Sequence, residues 1–502
     1  MMKESEIALN PNILVRHLNK PACEFTMNDI VKFVEDFEIE MLNLRYLADD
    51  GKLKSLNFVI TSKKHLIEIL SCGERVDGSS LFSYVGAASS DLYVIPRFKT
   101  AFLNPFSEVP TIDILCSFYT NDGKPLENSP ENILKKAHAS FMKSTGCKLK
   151  AMGELEYYVI GEKKELYPAE DQKGYHSSHP FTSYDNIRKE ALKLISECGG
   201  LIKYGHSEVG NFSLDDKAYE QHEIEFTPMD IDKAADQLVI AKWVLRTLGY
   251  AYGVDLSFAP KITVGKAGSG LHFHMLVEKD GKNIMTDDNG LTDTAKKVIA
   301  GLLTLAKPIT AFSNTIPTSY LRLVPHQEAP TNICWGDRNR SVLVRVPLGW
   351  NVKTSMVKDV NPQQIENVPE AAGKQTVELR SPDGSADIYA TLAAICVAAQ
   401  YGIESPDSLK LAEKLYVNVN IFKEEHKDKL AELDCLPASC FESADALNEK
   451  REFFEKNGIF TKGYIDNTIK KLKEHKDNDL SERLYNKNDE IKKLVDKFLH
   501  CM

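Results

Sequence analysis

The sequence lacks several features that mark secreted, membrane-spanning and nucleic-acid-binding proteins. Its first residues contain no apolar core of a secretory signal, and the longest apolar stretch, residues 390–403, is too short to cross a bilayer. No long basic run is present, and the formal net charge is -10, which argues against nucleic acid as the main partner. Internal repeats and low-complexity segments are also absent. We therefore expect a globular protein that binds neither membranes nor nucleic acid.

Cysteine pairs of the CxxC kind, which are typical of zinc and redox sites, do not occur among the ten cysteines of the chain. Several cysteines lie inside apolar runs, such as Cys116 and Cys396. Small side chains in such runs are usually buried, and thiols stay reduced in the cytosol. The cysteine pattern therefore predicts a cytoplasmic protein.

The chain is long enough for two domains. It has 502 residues, of which 43% are hydrophobic and 27% are charged, so a large core can form. Apolar residues alternate on both sides of an Asp-Gly pair at 50–51, which predicts a β-hairpin. A turn at 122–125 is followed by a Ser-Pro-Glu helix start at 129–131. These signals predict a small domain over residues 1–127 and a larger one over residues 128–502.

Acidic and imidazole side chains recur inside apolar runs that alternate like β-strands. Glu154 and Glu156 share one face of such a run, and His272 and His274 share one face of another, directly after a glycine-rich turn. A carboxylate on a strand is usually only solvated, and each pair taken alone has that simple explanation. Carboxylates crowded into one core, however, cannot all stay ionised without a cation. Oxygen-rich ligand sets with one imidazole suit Mg²⁺ or Mn²⁺ better than zinc.

Seven groups of motifs follow one another in a fixed order along the chain. They are Val76-Asp77-Gly78-Ser79-Ser80, Gly153-Glu154-Leu155-Glu156, His206-Ser207-Glu208-Val209, Gly268-Ser269-Gly270-Leu271-His272-Phe273-His274, Arg322-Leu323-Val324-Pro325 with Glu328-Ala329-Pro330, Asn339-Arg340-Ser341 with Arg345-Val346-Pro347, and Glu378-Leu379-Arg380. In this order they resemble bacterial type I glutamine synthetase, the glutamate–ammonia ligase family, from about residue 28 to near the C-terminus. The resemblance implies an α+β fold, with a small N-terminal β-grasp-like domain followed by a large catalytic domain that has a curved antiparallel sheet and flanking helices.

The resemblance also implies two divalent cations, Mg²⁺ or Mn²⁺, in each active site. The first, near glutamate, would be held by Glu156, Glu208 and Glu223. The second, near the phosphates of the co-substrate ATP, would be held by Glu154, His272 and Glu378.

The remaining family roles fall on arginines, one histidine and two loops. Arg340 and Arg345 would clamp phosphate, and His274 would lie near the nucleotide. Arg322, Arg380 and the Gly268 backbone would hold glutamate. Glu328 matches a flap acid that shields the acyl phosphate, contacts substrate and steers ammonium. Asp77 and Ser80 match a loop that enters a neighbouring subunit, within a dodecamer of two stacked hexameric rings whose active sites are shared.

The chain departs from the family pattern at a few positions. Ala267, Leu276 and Thr376 replace an asparagine, a serine and an arginine, and residues 348–374 are predicted to be an added loop. Ala267 removes one contact to glutamate, so a ligase that joins glutamate to an organic amine such as a polyamine is the alternative to glutamate–ammonia ligation. A non-catalytic structural member is a third possibility, although such a chain would be expected to lose metal ligands that are all present here.

Overall fold

The computed structural model describes residues 4–86, 90–163, 166–168, 170–324, 329–349, 355–367, 373–420 and 431–501. Two large sheets, each with its own hydrophobic core, organise these residues, and a third sheet has only two short strands, Thr286–Asp287 and Gly290–Leu291. The smaller of the two large sheets lies in the N-terminal part of the chain and the larger one in the remainder. This arrangement confirms the predicted α+β class.

The N-terminal sheet has the order β2-β1-β6-β4-β3, with β5 paired to β6. Its central pair, β1 and β6, is parallel, while the other pairs are antiparallel. Its strands are β1 (Met41–Leu47), β2 (Leu53–Val59), β3 (Glu74–Asp77), β4 (Asp91–Pro96), β5 (Phe102–Leu103) and β6 (Thr111–Tyr119). Helices of this part are α1 (Glu4–Ala8), α2 (Ile13–Leu18), α3 (Met27–Asp36) and α4 (Lys63–Cys72). The hairpin predicted at residues 50–51 is confirmed, because β1 and β2 pair on either side of it and Gly51 takes a left-handed φ of 69°.

The larger sheet has the order β16-β17-β18-β12-β7-β9-β8. The short strands β10 and β11 also pair with β7, and β13 pairs with β12. The strands from residue 148 onward are β7 (Lys148–Glu162), β8 (Ile202–Leu214), β9 (Lys217–Phe226), β10 (Met229–Asp230), β11 (Asp255–Ser257), β12 (Leu271–Lys279), β13 (Lys282–Asn283), β14 (Thr286–Asp287), β15 (Gly290–Leu291), β16 (Trp335–Asp337), β17 (Val344–Val346) and β18 (Val377–Leu379). Only β16 and β17 are parallel neighbours in this sheet. The central strand β7 pairs with both β9 and β12 and so determines which side chains meet on one face.

Several of the helices from residue 130 onward pack against the larger sheet. The helices of this part are α5 (Pro130–Thr145), α6 (Asp185–Glu197), α7 (Ile231–Tyr252), α8 (Asp293–Thr304), α9 (Ala306–Ser313), α10 (Ser319–Arg322), α11 (Met356–Val360), α12 (Ile388–Glu404), α13 (Ser408–Lys414), α14 (Cys440–Glu449), α15 (Arg451–Glu455), α16 (Lys462–Glu474), α17 (Leu480–Arg483) and α18 (Asn488–Lys497). Those that contact strands of the sheet include α5, α6, α7 and α8. The apolar helix α12 is buried along nearly its whole length. Among the described helices none has the length and apolarity that a membrane span requires.

Ion pairs join the N-terminal part to the helices of the larger part, and the one between Arg97 and Asp236 has low exposure. Arg97 donates two hydrogen bonds to Asp236 on α7, at 2.8 and 2.9 Å, and Tyr389 donates a third to the same carboxylate at 2.5 Å. Lys99 also lies 2.6 Å from Asp232. A two-pronged arginine–carboxylate contact with low exposure fixes orientation better than a single surface pair would. The two parts therefore meet along α7.

Candidate active site

A cavity of about 1160 Å³ opens over one face of the larger sheet. It is lined by twelve of the residues singled out in the sequence, namely Glu154, Glu156, Glu208, Glu223, Gly268, His272, His274, Arg322, Arg340, Arg345, Glu378 and Arg380. Most of these side chains are buried or half-buried, and Arg340 is exposed. The fold thus brings together residues that are more than two hundred positions apart in the sequence.

Strand register explains how these side chains reach the same face. Glu154 on β7 is opposite His272 on β12 and also opposite Glu225 on β9. Two residues further along β7, Glu156 is opposite Glu223. Because alternate residues of a strand point to the same side, one register places both acids of β7 over the cavity.

The turn before β12 is held close to the same acids. Gly270 donates its N–H to Glu156 Oε2 at 2.8 Å. A Cβ on Gly270 would lie 2.5 Å from His272 Nε2 and 2.7 Å from Arg322 Nη2, so no other residue fits without a shift. A larger residue at this position would therefore displace the ends of two side chains that line the cavity.

One group of possible metal ligands consists of Glu154, His272 and Glu378. Their ligand atoms all lie within 4.8 Å of one another. His272 Nδ1 is 3.0 Å from Glu154 Oε2 and 3.6 Å from Glu378 Oε1, and His274 Nε2 is 2.8 Å from Glu154 Oε1. Burial raises the pKa of Glu154, but the neighbouring His274 and His272 lower it by more than burial raises it. The pKa of Glu154 therefore lies well below the ordinary value.

A second group is formed by His206, Glu208 and Glu223, again within 4.8 Å. His206 Nε2 lies 3.2 Å from Glu223 Oε1. Glu156 lies near both groups, since its Oε1 is 3.7 Å from His272 Nε2 and it is opposite Glu223 in the strand register, while its Oε2 accepts from Gln221 at 3.1 Å. His206 had no assigned role in the sequence, although it precedes Glu208 by two residues and strand alternation places both on one side.

Glu225 adds a further buried acid to the cluster. Its ligand atom lies within 4.8 Å of those of Glu154 and Glu223, and Lys203 Nζ contacts its Oε1 at 2.5 Å. Within the described chain, the buried Oε2 of Glu225 has no hydrogen-bond partner. Burial, followed by repulsion from Glu154, Glu156, Glu208 and Glu225, raises the pKa of Glu223 well above the ordinary value. Such a cluster fits divalent cations, because hard oxygen ligands and an imidazole are what Mg²⁺ and Mn²⁺ accept and a cation removes the repulsion.

Arginine side chains also line the cavity, and two of them contact the candidate ligand Glu378. Arg345 Nη1 and Arg380 Nε both donate to Glu378, at 2.9 and 3.0 Å. Arg322 Nη1 donates to the carbonyl of Ser381 at 2.8 Å, and Arg380 also donates to the carbonyl of Arg340. The buried Nε of Arg345 has no partner among the residues that the structure describes. Guanidinium groups beside a cluster of acids can bind oxyanions such as phosphate or carboxylate next to cations.

Asp77 and Ser80 do not line the cavity of their own chain. Both are exposed in the short loop after β3. Ser80 Oγ donates to Asp77 Oδ2 at 2.6 Å, and Ser79 Oγ donates to Oδ1 at 2.7 Å. These hydrogen bonds from Ser80 and Ser79 lower the pKa of Asp77 to about 2. Glu328 lies outside the described residues, while its neighbour Ala329 does line the cavity.

Several cavity residues were not identified from the sequence. Tyr175 stacks on His176 at 4.2 Å and meets His206 edge-on at 5.5 Å. Lys203 and Gln221 reach the cavity through their contacts with Glu225 and Glu156. Gln221 precedes Glu223 by two residues on β9, so alternation could have found it. Tyr175 lies in a long connection without strand or helix periodicity, and no pattern in the sequence pointed to it.

Family models match both parts of the chain. The model described as the glutamine synthetase beta-Grasp domain matches residues 38–121, and the one described as the glutamine synthetase catalytic domain matches residues 127–487. The glutamine synthetase of Clostridium saccharobutylicum is 30% identical over 435 residues, which is 85% of this chain and 90% of the relative. That of Methanococcus maripaludis is 28% identical over 429 residues, which is 83% of this chain and 89% of the relative.

Solved structures share the fold. The cryo-EM structure of Plasmodium falciparum glutamine synthetase aligns with a TM-score of 0.73 at 21% identity, covering 92% of this chain and 99% of that one. A structure of GmaS without ligand aligns with a TM-score of 0.71 at 19% identity, covering 90% of this chain and 97% of that one. At these identities the likeness concerns the fold.

Proposed function

The chain belongs to the glutamine synthetase family, an enzyme family of ATP-dependent carbon–nitrogen ligases, and we propose that it joins ammonia to the γ-carboxylate of L-glutamate. The products would be L-glutamine, ADP and phosphate, with γ-glutamyl phosphate as the intermediate. One observation carries this assignment: a single cavity holds groups of cation ligands together with four arginines, two of which contact the ligand Glu378. Phosphoryl transfer to a carboxylate needs positive charge of this kind around several oxyanions.

Glu156, Glu208 and Glu223 would hold one divalent cation, with His206 close by, and Glu154, His272 and Glu378 would hold the other. The raised pKa of Glu223 supports this assignment, because its charge is poorly compensated by protein groups alone. Mg²⁺ or Mn²⁺ bound there would supply positive charge beside the phosphates and the reacting carboxylate.

In the first step, a γ-carboxylate oxygen of glutamate attacks the γ-phosphorus of ATP, and the bond to the β,γ-bridging oxygen breaks as ADP leaves. Arg340 and Arg345 would hold the transferring phosphoryl oxygens, with His274 near the nucleotide. Arg322, Arg380 and the Gly268 backbone would hold glutamate. Arg345 and Arg380 are paired with Glu378 in the structure, so substrate binding would exchange part of those contacts for contacts with substrate oxygens.

In the second step, ammonium loses a proton and the ammonia nitrogen attacks the acyl carbon, from which phosphate then leaves. Asp77 and Ser80 of a neighbouring subunit would bind ammonium at the mouth of the cavity. The low pKa of Asp77 means that it attracts the cation as a fully charged carboxylate. To accept the proton, Asp77 must first lose hydrogen bonds from Ser79 and Ser80, since those bonds favour the charged form.

If Asp77 and Ser80 of one chain act in the cavity of another, the protein must be an oligomer with shared active sites. We propose a cytoplasmic dodecamer of two hexameric rings, in which domain 1–127 of one chain completes the site of domain 128–502 of the next. Glu328 would act as the flap that contacts the substrate and keeps water from the acyl phosphate.

Ala267 favours one alternative, a ligase that takes an organic amine in place of ammonia. Ala267 is 7% exposed, and its backbone is already engaged, because its N–H donates to Gln172 Oε1 and its carbonyl accepts from Tyr158, both at 2.8 Å. This position therefore offers glutamate neither an amide side chain nor a free backbone group. Glutamate would be held less tightly here than in relatives with asparagine, which leaves the acceptor amine to be tested directly.

Phosphate release from ATP and glutamate should be measured with ammonium, methylamine, ethylamine and a diamine. We expect kcat/KM for ammonium to exceed that for every amine by at least about ten-fold, a difference of roughly 1.4 kcal/mol. Glu378→Gln should be inactive with all of them and serves as the background control. A higher kcat/KM for any organic amine would replace ammonia by that amine as the acceptor.

A further inference from the structure

A second cavity, of about 440 Å³, lies where the two parts of the chain meet. Its walls are the β1–β2 hairpin, helix α7, the beginning of α12 and His500 near the C-terminal end. A volume of this size falls within the range of small-molecule sites. The cavity shares no lining residue with the one that contains the acids and arginines described above.

Two cationic side chains form the floor of this second cavity. Lys242 and Arg246 are one turn apart on α7, and both lie over the ring of Phe258, at 5.1 and 5.0 Å from its centroid. Lys242 is 4% exposed and donates to the carbonyl of Gly384 at 2.8 Å. Arg246 donates to the carbonyl of Cys501 at 2.5 Å. Among the residues that the structure describes, neither cation forms an ion pair with a carboxylate.

The acids around this cavity already have other partners. Asp49 lies 2.5 Å from Lys471, and Asp255 lies 3.7 Å from His500 and 3.8 Å from Lys217. Asp387 accepts from the backbone of Ala390 at 3.0 Å and from Tyr464 at 2.9 Å. The exposed Lys52 adds a further positive charge at the rim. The floor and rim therefore carry positive charge that described protein groups do not neutralise.

Leaving two like charges together in a buried place is unfavourable. Burial, and then repulsion from Arg246, lower the pKa of Lys242 to about 7. Burial also lowers the pKa of Arg246. A lowered pKa is expected for a buried cation without a counterion. An anion bound in the adjoining cavity would raise the pKa of both side chains.

We propose that the cavity between the hairpin and α7 binds a compact oxyanion with two negative charges, of the class of inorganic phosphate or a small dicarboxylate. Arg246 would supply a planar pair of N–H donors, and Lys242 and Lys52 would supply point charges. The bound anion would join the β1–β2 hairpin to α7 and to the beginning of α12.

A chain of hydrogen bonds connects this site to the wall of the active site. Lys242 holds the carbonyl of Gly384, and the adjacent Asp383 accepts from Asn314 at 2.7 Å. Asn314 and Arg322 both donate to the carbonyl of Ser381, each at 2.8 Å. An anion that contacts Lys242 would therefore act on residues 381–384, whose backbone accepts a hydrogen bond from Arg322. Anion binding in the second cavity should then change the apparent KM for glutamate.

Calorimetric titration of the full-length protein with inorganic phosphate tests the site. Wild type should bind two phosphates per chain, and Arg345→Gln should retain only the one in the interdomain cavity. In the Arg345→Gln background, Lys242→Met should weaken the remaining binding at least ten-fold, and Lys52→Met should weaken it two- to five-fold. Lys193→Met, which changes an exposed lysine on α6, is the matched control and should leave the affinity unchanged. Succinate in place of phosphate shows whether a dicarboxylate is the better ligand.

A second measurement keeps the test informative if Lys242→Met fails to fold. Crystals of the wild-type protein soaked in selenate should give an anomalous peak within hydrogen-bond distance of Lys242 and Arg246. An unchanged phosphate affinity in folded Lys242→Met, or no peak in the cavity, overturns the assignment.

Discussion

At the scale of single residues, Glu223 shows most clearly how the surroundings set the properties of a side chain. Four other carboxylates and burial raise its pKa well above the ordinary value. Such a group stabilises the fold when it is protonated, and this stabilisation is lost as the pH rises through its folded-state pKa. At neutral pH, the metal-free protein therefore carries an unfavourable electrostatic contribution at this position.

Replacing Glu223 by glutamine should stabilise the metal-free protein and weaken its metal binding. The amide keeps the size of the side chain and removes one of the crowded charges. We expect the thermal midpoint in EDTA to rise by roughly 1–3 °C, as a gain of about 1 kcal/mol would give, while the affinity for Mg²⁺ or Mn²⁺ falls more than about ten-fold. Scanning calorimetry with and without metal measures both effects.

Glu162→Gln is the matched control for this change. Glu162 is the exposed last residue of β7, and its replacement should alter neither quantity. A Glu223→Gln protein that is less stable in EDTA than wild type would show that the acids of the cluster are neutralised by protein groups and not by bound cations.

Strand alternation in the sequence was sufficient to place Glu154 with Glu156, and His272 with His274, on one face of each strand, and the strand register then brings both pairs over one cavity. It could not reveal that Arg345 and Arg380 share Glu378, because that contact depends on the pairing of β17 with β18. Lys203 and Tyr175 were missed for a similar reason. Their contacts are tertiary, and no local periodicity marks them.

At the scale of secondary-structure elements, the buried Arg188 on α6 contacts β8 and β9 on the face of the sheet opposite the cavity. Arg188 is 6% exposed and donates to Ser207 Oγ at 2.9 Å, and it also contacts His222 Nδ1 and Asp185. Ser207 and His222 are the immediate neighbours of Glu208 and Glu223 and point to the opposite face of the sheet. The Arg188 contacts therefore fix the two strands that carry these acids.

Arg188→Leu should destabilise the protein by about 1–3 kcal/mol, because it removes one of the two cations on the buried Asp185, where Lys189 remains, and the donor to Ser207. The double variant Arg188→Leu with Asp185→Leu should recover part of this loss, since the buried carboxylate is removed together with this cation. Chemical denaturation in the presence of metal measures the stabilities. Equal losses in the single and double variants would mean that Lys189 alone compensates the charge on Asp185.

Helix α7 should make stability depend on pH through Lys242. Its pKa is about 7 in the folded chain and near the ordinary 10.5 when unfolded, so the unfolded state binds more protons between these values and stability rises with pH across that window. In phosphate-free buffer, Lys242→Met should reduce this rise by an amount on the order of 3 kcal/mol. Denaturation at pH 7 and pH 10, with Lys193→Met as control, measures the difference.

The charged and titratable groups that face Lys242 in this experiment come from several elements. They are Asp49, Lys52, Arg246, Asp255, Asp383, Asp387, His500 and Cys501. They titrate in both proteins, so the comparison depends only on the difference between wild type and variant. An identical pH dependence in the two proteins would mean that Lys242 stays charged in the folded state.

Local signals predicted some elements well and others not at all. Helix α5 begins at Pro130 after Ser129 and ends before Gly146, which has a φ of 67°, as its start and stop residues indicate. The Ser129 side chain, however, donates to Glu131 and forms no cap bond. Strands β16, β17 and β18 have only three residues each. Segments this short have no measurable period, and they are strands because β18 pairs with β12, β17 with β18 and β16 with β17.

At the scale of the whole molecule, the proposed sharing of active sites depends on the position of Asp77. The Asp77 loop lies in the N-terminal part and does not line the cavity of its own chain. Asp77→Ala should therefore abolish most amide synthesis while leaving metal affinity within about two-fold of wild type. Glutamine formation and metal titration of the purified variant measure the two properties.

Mixed oligomers test whether neighbouring chains share the site. Asp77→Ala and Glu378→Ala chains should each be nearly inactive alone. Co-assembled chains should recover part of the wild-type activity, because some interfaces pair an intact Asp77 loop with an intact metal site. Differently tagged chains establish that mixed oligomers form. Mixed oligomers as inactive as their parents would mean that Asp77 serves its own chain.

The overall class of the molecule followed from its motifs, whereas the way its two parts are joined did not. Arg97 with Asp236, and the cation pair on α7, lie in ordinary-looking helical and loop sequence. These side chains matter because they are buried between the two parts of the chain. That burial depends on how the N-terminal sheet and the larger sheet are oriented relative to each other. Sequence periodicity describes one element at a time and carries no information about that placement.

The position of both Glu154 and Glu156 on the single strand β7 also has a consequence for mutational tolerance. A deletion or insertion of one residue earlier in this strand would move both carboxylates to the helix-covered side of the sheet in one event. Substitutions at the same positions would instead remove them one at a time. In a library of random variants, we therefore expect single-residue length changes within 148–154 to be uniformly inactive, even where every substitution at the altered residue is tolerated.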